Sequence, residues 1–112
     1  MRITYAIRYV SDMDRAVAFY RDQVGLPLKF SSPGWSEFAT GEATLALHPA
    51  TPENPAGSLE LGFGVHDLQE FFTAKSAAGV KFPLPPTKQD FGGMLARFED
   101  SEGALSSVAS LL

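Results

Sequence analysis

The residues of this chain that could do chemistry are few. The chain has two histidines, His48 and His66, and no cysteine, which excludes disulfides and thiolate metal sites. Glu60 is the best candidate for a general base, because an isolated carboxylate facing a partly apolar space can remove a proton next to a carbonyl group. A carboxylate that is exposed, or paired with an arginine, is the commoner arrangement, and we favour it.

Aromatic side chains indicate a second kind of site. Trp35, Tyr5, Tyr9 and Phe91 could wall a pocket for a flat ligand, and ordinary packing in a core or a dimer interface is the alternative. The chain has no glycine-rich phosphate loop, since Gly92-Gly93 alone indicates little. The positions of the serines and histidines do not suggest a catalytic triad. Other chemistry is therefore sparse.

The stretch from Val10 to Phe30 contains the first element that must position these residues. Ser11 and Asp12 can cap a helix, and an apolar stripe follows at spacings of four, three and four: Met13, Val17, Tyr20 and Val24. Gly25 and Pro27 end the pattern. The sequence therefore predicts a helix over residues 12–24.

The same unit returns in the second half of the chain. Asp67 lies 55 residues after Asp12, and Gly79 lies 54 residues after Gly25. These offsets are close to half of the 112 residues, so we predict two copies of one module and a second helix over residues 67–78. Two unrelated units with similar caps and glycines are the alternative.

Alternating apolar residues and turn signals predict four strands in each half. The resulting order is βαβββ twice, with modules at about 1–50 and 58–112 and a proline-rich linker at about 49–57. A four-stranded sheet with one helix leaves its other face bare, and two such faces can line a shared cup. The predicted fold class is α+β, an eight-stranded, open, cup-like sheet in a single domain. The predicted strands are Ile3–Val10, Leu26–Ser31, Trp35–Thr40, Ala43–His48, Leu59–Val65, Val80–Phe82, Met94–Glu99 and Ala104–Leu111.

Composition limits the partners. The formal net charge is −4, which argues against nucleic acid. The sequence has no apolar run long enough to span a membrane and no signal-peptide pattern at its start. We therefore expect a cytoplasmic protein without a nucleic-acid or membrane partner.

The order and spacing of several short motifs resemble the vicinal-oxygen-chelate superfamily, which comprises glyoxalase I, bleomycin-resistance proteins and extradiol dioxygenases. The Pro33-Gly-Trp35 motif followed by Gly41 is similar to the bleomycin-resistance branch. The resemblance implies paired βαβββ modules, a small-molecule ligand and a homodimer. The other motifs that carry it are Val10-Ser-Asp12, Ala18-Phe-Tyr20, Gly25-Leu26, Val65-His-Asp67, Gly79-Val80, Phe91-Gly-Gly93 and Phe98-Glu-Asp-Ser-Glu-Gly103.

The resemblance also implies where metal-using members hold their ion. The four ligand positions correspond to Tyr5, Ala46, Glu60 and Ser107, of which only Glu60 is a plausible ligand. His48 shares the strand face of Ala46 and could join Glu60. Because a catalytic metal normally has three protein ligands, we expect no cofactor, and a divalent metal stays open as the alternative.

Two functions follow as hypotheses. The first is a metal-free module that binds a small, partly aromatic molecule in a cup between the modules. The second is a lyase, isomerase or dioxygenase that uses a divalent metal or Glu60 as the base. Arg97 is the predicted partner of Glu60, and the sequence gives no account of Arg8. The predicted ligand-binding residues are Tyr5, Ile7, Trp35, Glu37, Ala46, His48, Glu60, Phe91, Arg97 and Ser107.

Overall fold

The computed structural model describes residues 1–111 and contains the βαβββ order twice, as predicted. One compact unit, called module one below, is Thr4–Leu59. The other, module two, combines Met1–Ile3 with the chain from Glu60 onward. Leu112, the last residue of the predicted second module, lies outside the described residues.

Module one contains a four-stranded sheet in the order β2-β3-β4-β1. Strand β1 pairs in parallel with β4, from Tyr5 opposite Thr44 to Val10 opposite Pro49, and the other pairs are antiparallel. Parallel neighbours need a crossover connection, and the helical segment that follows β1 starts that crossover. Its strands are β1 (Arg2–Val10), β2 (Leu28–Ser31), β3 (Ser36–Ala39) and β4 (Thr44–Pro49).

The first helix begins as predicted and then departs from the predicted geometry. The Asp12 carboxylate accepts the backbone N–H of Arg15 at 3.0 Å and caps helix α1 (Met13–Ala18). A π-helical segment, Phe19–Val24, replaces the rest of the predicted helix. In this wider turn residues 21–24 are exposed, and Val24 is 51% exposed, so its place in the apolar stripe was wrong.

The core of module one lies between this helix and one face of the sheet. Val17, Phe38 and Leu47 are buried there, and Val10, Met13 and Tyr20 pack against them, among other apolar side chains. Val10 therefore places its strand face under the helix, as predicted. The other face of the sheet has no helix of its own module to cover it.

Module two repeats the arrangement with the strand order β5-β8-β7-β6. The Asp67 carboxylate caps its helix by accepting the Glu70 N–H at 3.0 Å, and Val65, Leu68, Ala96 and Val108 form its buried core. The helix agrees with the predicted range, and β5 pairs in parallel with β8 as β1 does with β4. The elements are β5 (Leu59–Val65), α2 (Leu68–Ala77), β6 (Leu84–Lys88), β7 (Met94–Glu99) and β8 (Leu105–Ser110).

Strand β6 corrects a prediction. The sequence placed this strand at Val80–Phe82 and an extended loop over the prolines, whereas the strand includes Pro85 and Pro86. Proline has no N–H to donate, so it is tolerated in a strand only at an edge or a bulge. Strand β6 is the last in the order of module two, and its pairing with β7 shifts between Leu84 and Thr87. Residues 80–82 instead make one backbone contact to β7, from Glu99 N–H to the Lys81 carbonyl.

Neither helix of residues 1–111 has the length and hydrophobicity that crossing a membrane requires.

Phe38→Ala should lower the free energy of unfolding by about 3–5 kcal/mol, because it removes a fully buried ring and leaves a cavity. Urea denaturation measures this change. Phe30→Ala is the matched control, since the Phe30 side chain on the neighbouring strand is 53% exposed and its loss should change stability by less than about 1 kcal/mol. Equal midpoints for the two variants would contradict the assignment of this core.

Candidate functional site

The helix-free face of module one carries most of the predicted site residues. Ile7, Tyr9 and Ala46 are buried on this face, and Tyr5 and Trp35 pack against them. Alternation along β1 produces this arrangement, because Val10 packs on the helix side whereas Tyr5, Ile7 and Tyr9 occupy the opposite side. The alternation in the sequence therefore predicted the correct face of the sheet for Tyr5, Ile7 and Tyr9.

Aromatic rings contact one another across this surface, and the Tyr5–Trp35 and Trp35–His48 pairs do so edge to face. The Tyr5 and Trp35 ring centroids are 5.8 Å apart with a 64° angle between the ring planes. The His48 ring lies 6.2 Å from that of Trp35 and 5.2 Å from that of Tyr9. Edge-to-face contacts are the preferred geometry of aromatic pairs. The rings of Tyr5, Trp35 and His48, which we call the aromatic cluster, thus support one another.

Glu37 contacts the polar groups of the aromatic cluster. Its carboxylate accepts a hydrogen bond from Trp35 Nε1 at 2.7 Å, and Lys29 Nζ lies 3.7 Å from the other carboxylate oxygen. Burial raises the pKa of the Tyr5 hydroxyl, and the charge of Glu37 and a hydrogen bond with it raise that pKa further. Glu37 therefore interacts with both Tyr5 and Trp35, and Lys29 offsets the negative charge of its carboxylate.

Module two places a charged pair on its own helix-free face. Arg97 Nε lies 3.6 Å from Glu60 Oε2, which is the pairing predicted from strand order. The Glu60 side chain is 2% exposed, and that of Arg97 is 37% exposed. Arg97 Nε is buried and makes no hydrogen bond within the described residues. The arginine thus keeps donor capacity that its contact with Glu60 does not use.

The remaining predicted residues of module two differ in their surroundings. Ser107 is buried on β8, where it pairs with Arg97 on one side and with Gly62 on the other, so it shares their face of the sheet. Phe91 lies in the turn between β6 and β7 and is 76% exposed. That the helix-free faces of the two modules line one cup stays a prediction.

Sequence reasoning missed two residues beside the aromatic cluster. Phe30 lies opposite Glu37 in the pairing of β2 with β3, and Lys29 reaches the Glu37 carboxylate. The alternation of Lys29 with apolar neighbours could have drawn attention to it, but the irregular pairing between Leu28 and Phe30 has no sequence signal. Arg8, which had no account, donates a hydrogen bond to the Gly57 carbonyl.

The donor set does not fit the metal that the superfamily implies. Ala46 offers no donor atom, Glu60 is paired with Arg97, and His48 Nδ1 lies 2.7 Å from the Pro49 carbonyl. Within residues 1–111, His, Asp and Glu side chains form no group of three or more that could hold a metal ion. We therefore derive no chemical step through a metal.

These modules define a protein of the paired βαβββ class. The chain belongs to the Glyoxalase/Bleomycin resistance protein/Dioxygenase superfamily, which it matches over residues 2–107. This match confirms the resemblance seen in the sequence. No curated protein matches the chain.

Solved structures confirm the fold class. A Streptomyces coelicolor methylmalonyl-CoA epimerase in complex with 2-nitronate-propionyl-CoA is 18% identical, with a TM-score of 0.80 over 98% of this chain and 94% of that one. A Vibrio splendidus member of the superfamily is 16% identical, with a TM-score of 0.74 over 98% of each chain. A Legionella pneumophila protein described as an NAD-dependent benzaldehyde dehydrogenase is 22% identical, with a TM-score of 0.79 over 96% of this chain and 98% of that one. Identities this low show a shared fold, which does not decide function.

Glu37→Gln should lower the pKa of Tyr5, because it removes the negative charge that disfavours tyrosinate. The pKa should stay above the ordinary value of 10.0, since burial remains. The measurement is the tyrosinate absorbance during alkaline titration, taken as the difference between each protein and its Tyr5→Phe variant. Because the raised pKa means that the folded state holds its proton more tightly, this residue's contribution to stability should be present below pH 10 and lost as the pH rises through the folded-state pKa.

Glu42→Gln is the control for this titration. Glu42 is exposed in the turn between β3 and β4 and carries the same charge. A Tyr5 pKa that falls equally in both variants, or in neither, would contradict the placement of Glu37 beside the hydroxyl.

Proposed function

We propose that this protein binds a small organic molecule with a flat ring, and that the helix-free face of module one supplies the surface for the ring. The observation that carries the proposal is the Trp35 indole, held at its nitrogen by Glu37 at 2.7 Å and at its edge by Tyr5. A ring surface held in place before binding avoids the entropic cost of ordering it around the ligand. Such a surface recognises aromatic shape rather than one functional group.

The charge of Glu37 does not make this face a simple cation site. Lys29 lies within ion-pair distance of the Glu37 carboxylate, and Trp35 also donates to it. A ligand cation would have to compete with both. We therefore assign the ring-stacking role to Trp35 and Tyr5, and the role of Glu37 is to orient them.

Module two offers a candidate group of its own for a charged ligand. Arg97 faces Glu60 with its Nε atom and its side chain is 37% exposed, so the terminal N–H groups of the guanidinium can bind a carboxylate. A carboxylate ligand would therefore bind at Arg97, whereas an amine would bind at Glu60 and displace the arginine. Ser107 lies beside Arg97 and can donate or accept a further hydrogen bond.

The proposed activity is binding without a catalytic metal. The support is the donor set, in which Ala46 replaces one ligand and Glu60 already has a cationic partner. Elemental analysis of the purified protein tests this point. Stoichiometric, tightly bound Zn, Ni, Fe or Mn would overturn it and favour a metal-dependent lyase, isomerase or dioxygenase.

Benzoate and benzylamine should change the fluorescence of Trp35 in a saturable way, because each places a flat ring against the indole. Trp35 is the only tryptophan in the sequence, so its emission reports on this face alone. Cyclohexanecarboxylate is the matched control for benzoate, with the same charge and no flat ring. Tyr5→Ala should weaken binding about 2- to 10-fold, since an aromatic pair contributes about 0.5–1.5 kcal/mol beyond its buried area.

Phe19→Ala is the control variant, because Phe19 is an exposed ring on the π-helical segment away from this face. Glu60→Gln should weaken the binding of an amine at module two, measured by calorimetry with benzylamine, and should leave the fold intact, as circular dichroism will show. Equal binding of benzoate and cyclohexanecarboxylate, or equal effects of Tyr5→Ala and Phe19→Ala, would contradict ring recognition on this face.

We also expect the protein to be a homodimer, as the superfamily resemblance implies, because symmetric pairing of identical faces is the commonest way for such proteins to associate. Light scattering at micromolar concentrations should give about twice the 12.1 kDa mass of one chain. A mass of 12.1 kDa across the whole concentration range would show that this expectation is wrong.

A further inference from the structure

A cleft of about 350 Å³ opens on module one, on the opposite side of β1 from the aromatic cluster. Arg8 and Arg15 contribute its positively charged groups, and Val10, Ala16 and Tyr20 contribute apolar surface. Its volume falls within the range of small-molecule sites, about 300–1,000 Å³. None of these residues belongs to the binding site proposed above.

The outer wall of the cleft is a segment that the sequence identified only as a linker. The Gly57 N–H donates to the Tyr9 carbonyl at 2.8 Å, and the Tyr9 N–H donates to the Ser58 carbonyl at 3.0 Å. At the other end of the segment, the Ala50 N–H donates to the Val10 carbonyl at 2.8 Å. Backbone hydrogen bonds therefore fix both ends of the linker against β1.

The two arginines are held in place by neutral acceptors. Arg8 donates to the Gly57 carbonyl, and Arg15 Nη2 donates to the Ser11 hydroxyl at 3.1 Å. Within residues 1–111, neither guanidinium lies within ion-pair distance of a carboxylate. Each guanidinium has five N–H donors, so both keep their charge and most of their donors for another group.

One acidic residue, Asp12, also lines the cleft, and its carboxylate already accepts a hydrogen bond. Asp12 Oδ1 accepts the backbone N–H of Arg15 at 3.0 Å as the cap of α1. With two guanidinium groups and one carboxylate, the lining keeps an excess of one positive charge.

The geometry points to an anion site in this cleft. The site takes an oxyanion, a phosphate or a carboxylate, which accepts hydrogen bonds from Arg8 and Arg15, while a small aliphatic part of the same molecule lies on Val10, Ala16 and Tyr20. Arginine pairs bind such anions because their planar donors match the oxygen geometry. The site gives Arg8, a charged residue on the helix side of a strand, a function.

The test is a titration of the whole protein with butyl phosphate, inorganic phosphate and pentanoate, followed by two-dimensional NMR of the backbone amides and arginine Nε–H groups. These probes have no ring, so they do not depend on ring recognition at Trp35. Saturable shifts should appear at Arg8, Arg15 and Gly57 and leave the Trp35 indole signal unchanged. If butyl phosphate binds most tightly, the ligand class is a phosphate ester, and if pentanoate does, it is a carboxylate. If inorganic phosphate binds as tightly as butyl phosphate, the ligand is the free phosphate ion.

Arg8→Gln and Arg15→Gln should each weaken binding by about tenfold or more, because each removes charge-assisted hydrogen bonds. Arg21→Gln is the matched control, since Arg21 is an exposed arginine in the same module that already pairs with Asp22 at 2.8 Å. The affinity of the Arg21→Gln variant for the anion should stay within about twofold of that of the unchanged protein, because salt screens a charge on the surface. If Arg8→Gln fails to fold, Arg15→Gln decides alone.

Three results would overturn the inference. The first is no saturable shift with any of the three anions. The second is an affinity that Arg8→Gln and Arg15→Gln leave unchanged. The third is an equal loss in all three variants, which would mean a general response to net charge rather than a site.

Discussion

The parallel pairing of the first and last strands of each module is the constraint on which the rest of the structure depends. Strand β1 lies beside β4, and β5 lies beside β8, in the same direction. Parallel neighbours require a crossover, and the helical segment after the first strand of each module begins it. The apolar core of each module therefore collects on the helix side, and the opposite face is left for other contacts. The aromatic cluster of module one and the Glu60–Arg97 pair of module two both occupy such faces.

Much of this fold could be predicted because matched residues have matched roles. Asp12 and Asp67 each cap a helix at 3.0 Å, and Gly25 and Gly79 each follow a helical segment with positive φ. These roles are local, so spacing alone revealed them. The π-helical segment was missed because its residues have the spacing of an ordinary helix, and β6 was missed because prolines are atypical of a strand. Val24 has the right spacing for a core position, yet the wider turn directs it to solvent.

The sheet face on which each candidate site residue lies could be predicted from the sequence, whereas most contacts between these residues could not. Alternation along β1 sorted Tyr5 and Ile7 correctly, because the period of a strand is two. The hydrogen bond from Trp35 to Glu37 depends on rotamers and on strand register, which a single sequence does not specify. Arg8 shows the same limit, since its partner Gly57 is 49 residues away and is reached only because the linker folds back on β1.

The prolines of β6 have a consequence for how the protein behaves when it is concentrated. An edge strand normally presents a row of free N–H and C=O groups to which a strand of another molecule can add. Pro85 and Pro86 have no N–H, and the irregular pairing between Leu84 and Thr87 interrupts the regular spacing of the groups that remain. A second chain therefore finds no continuous ladder along this edge. The residues that made β6 hard to recognise as a strand therefore make this edge a poor template for the strand of another molecule.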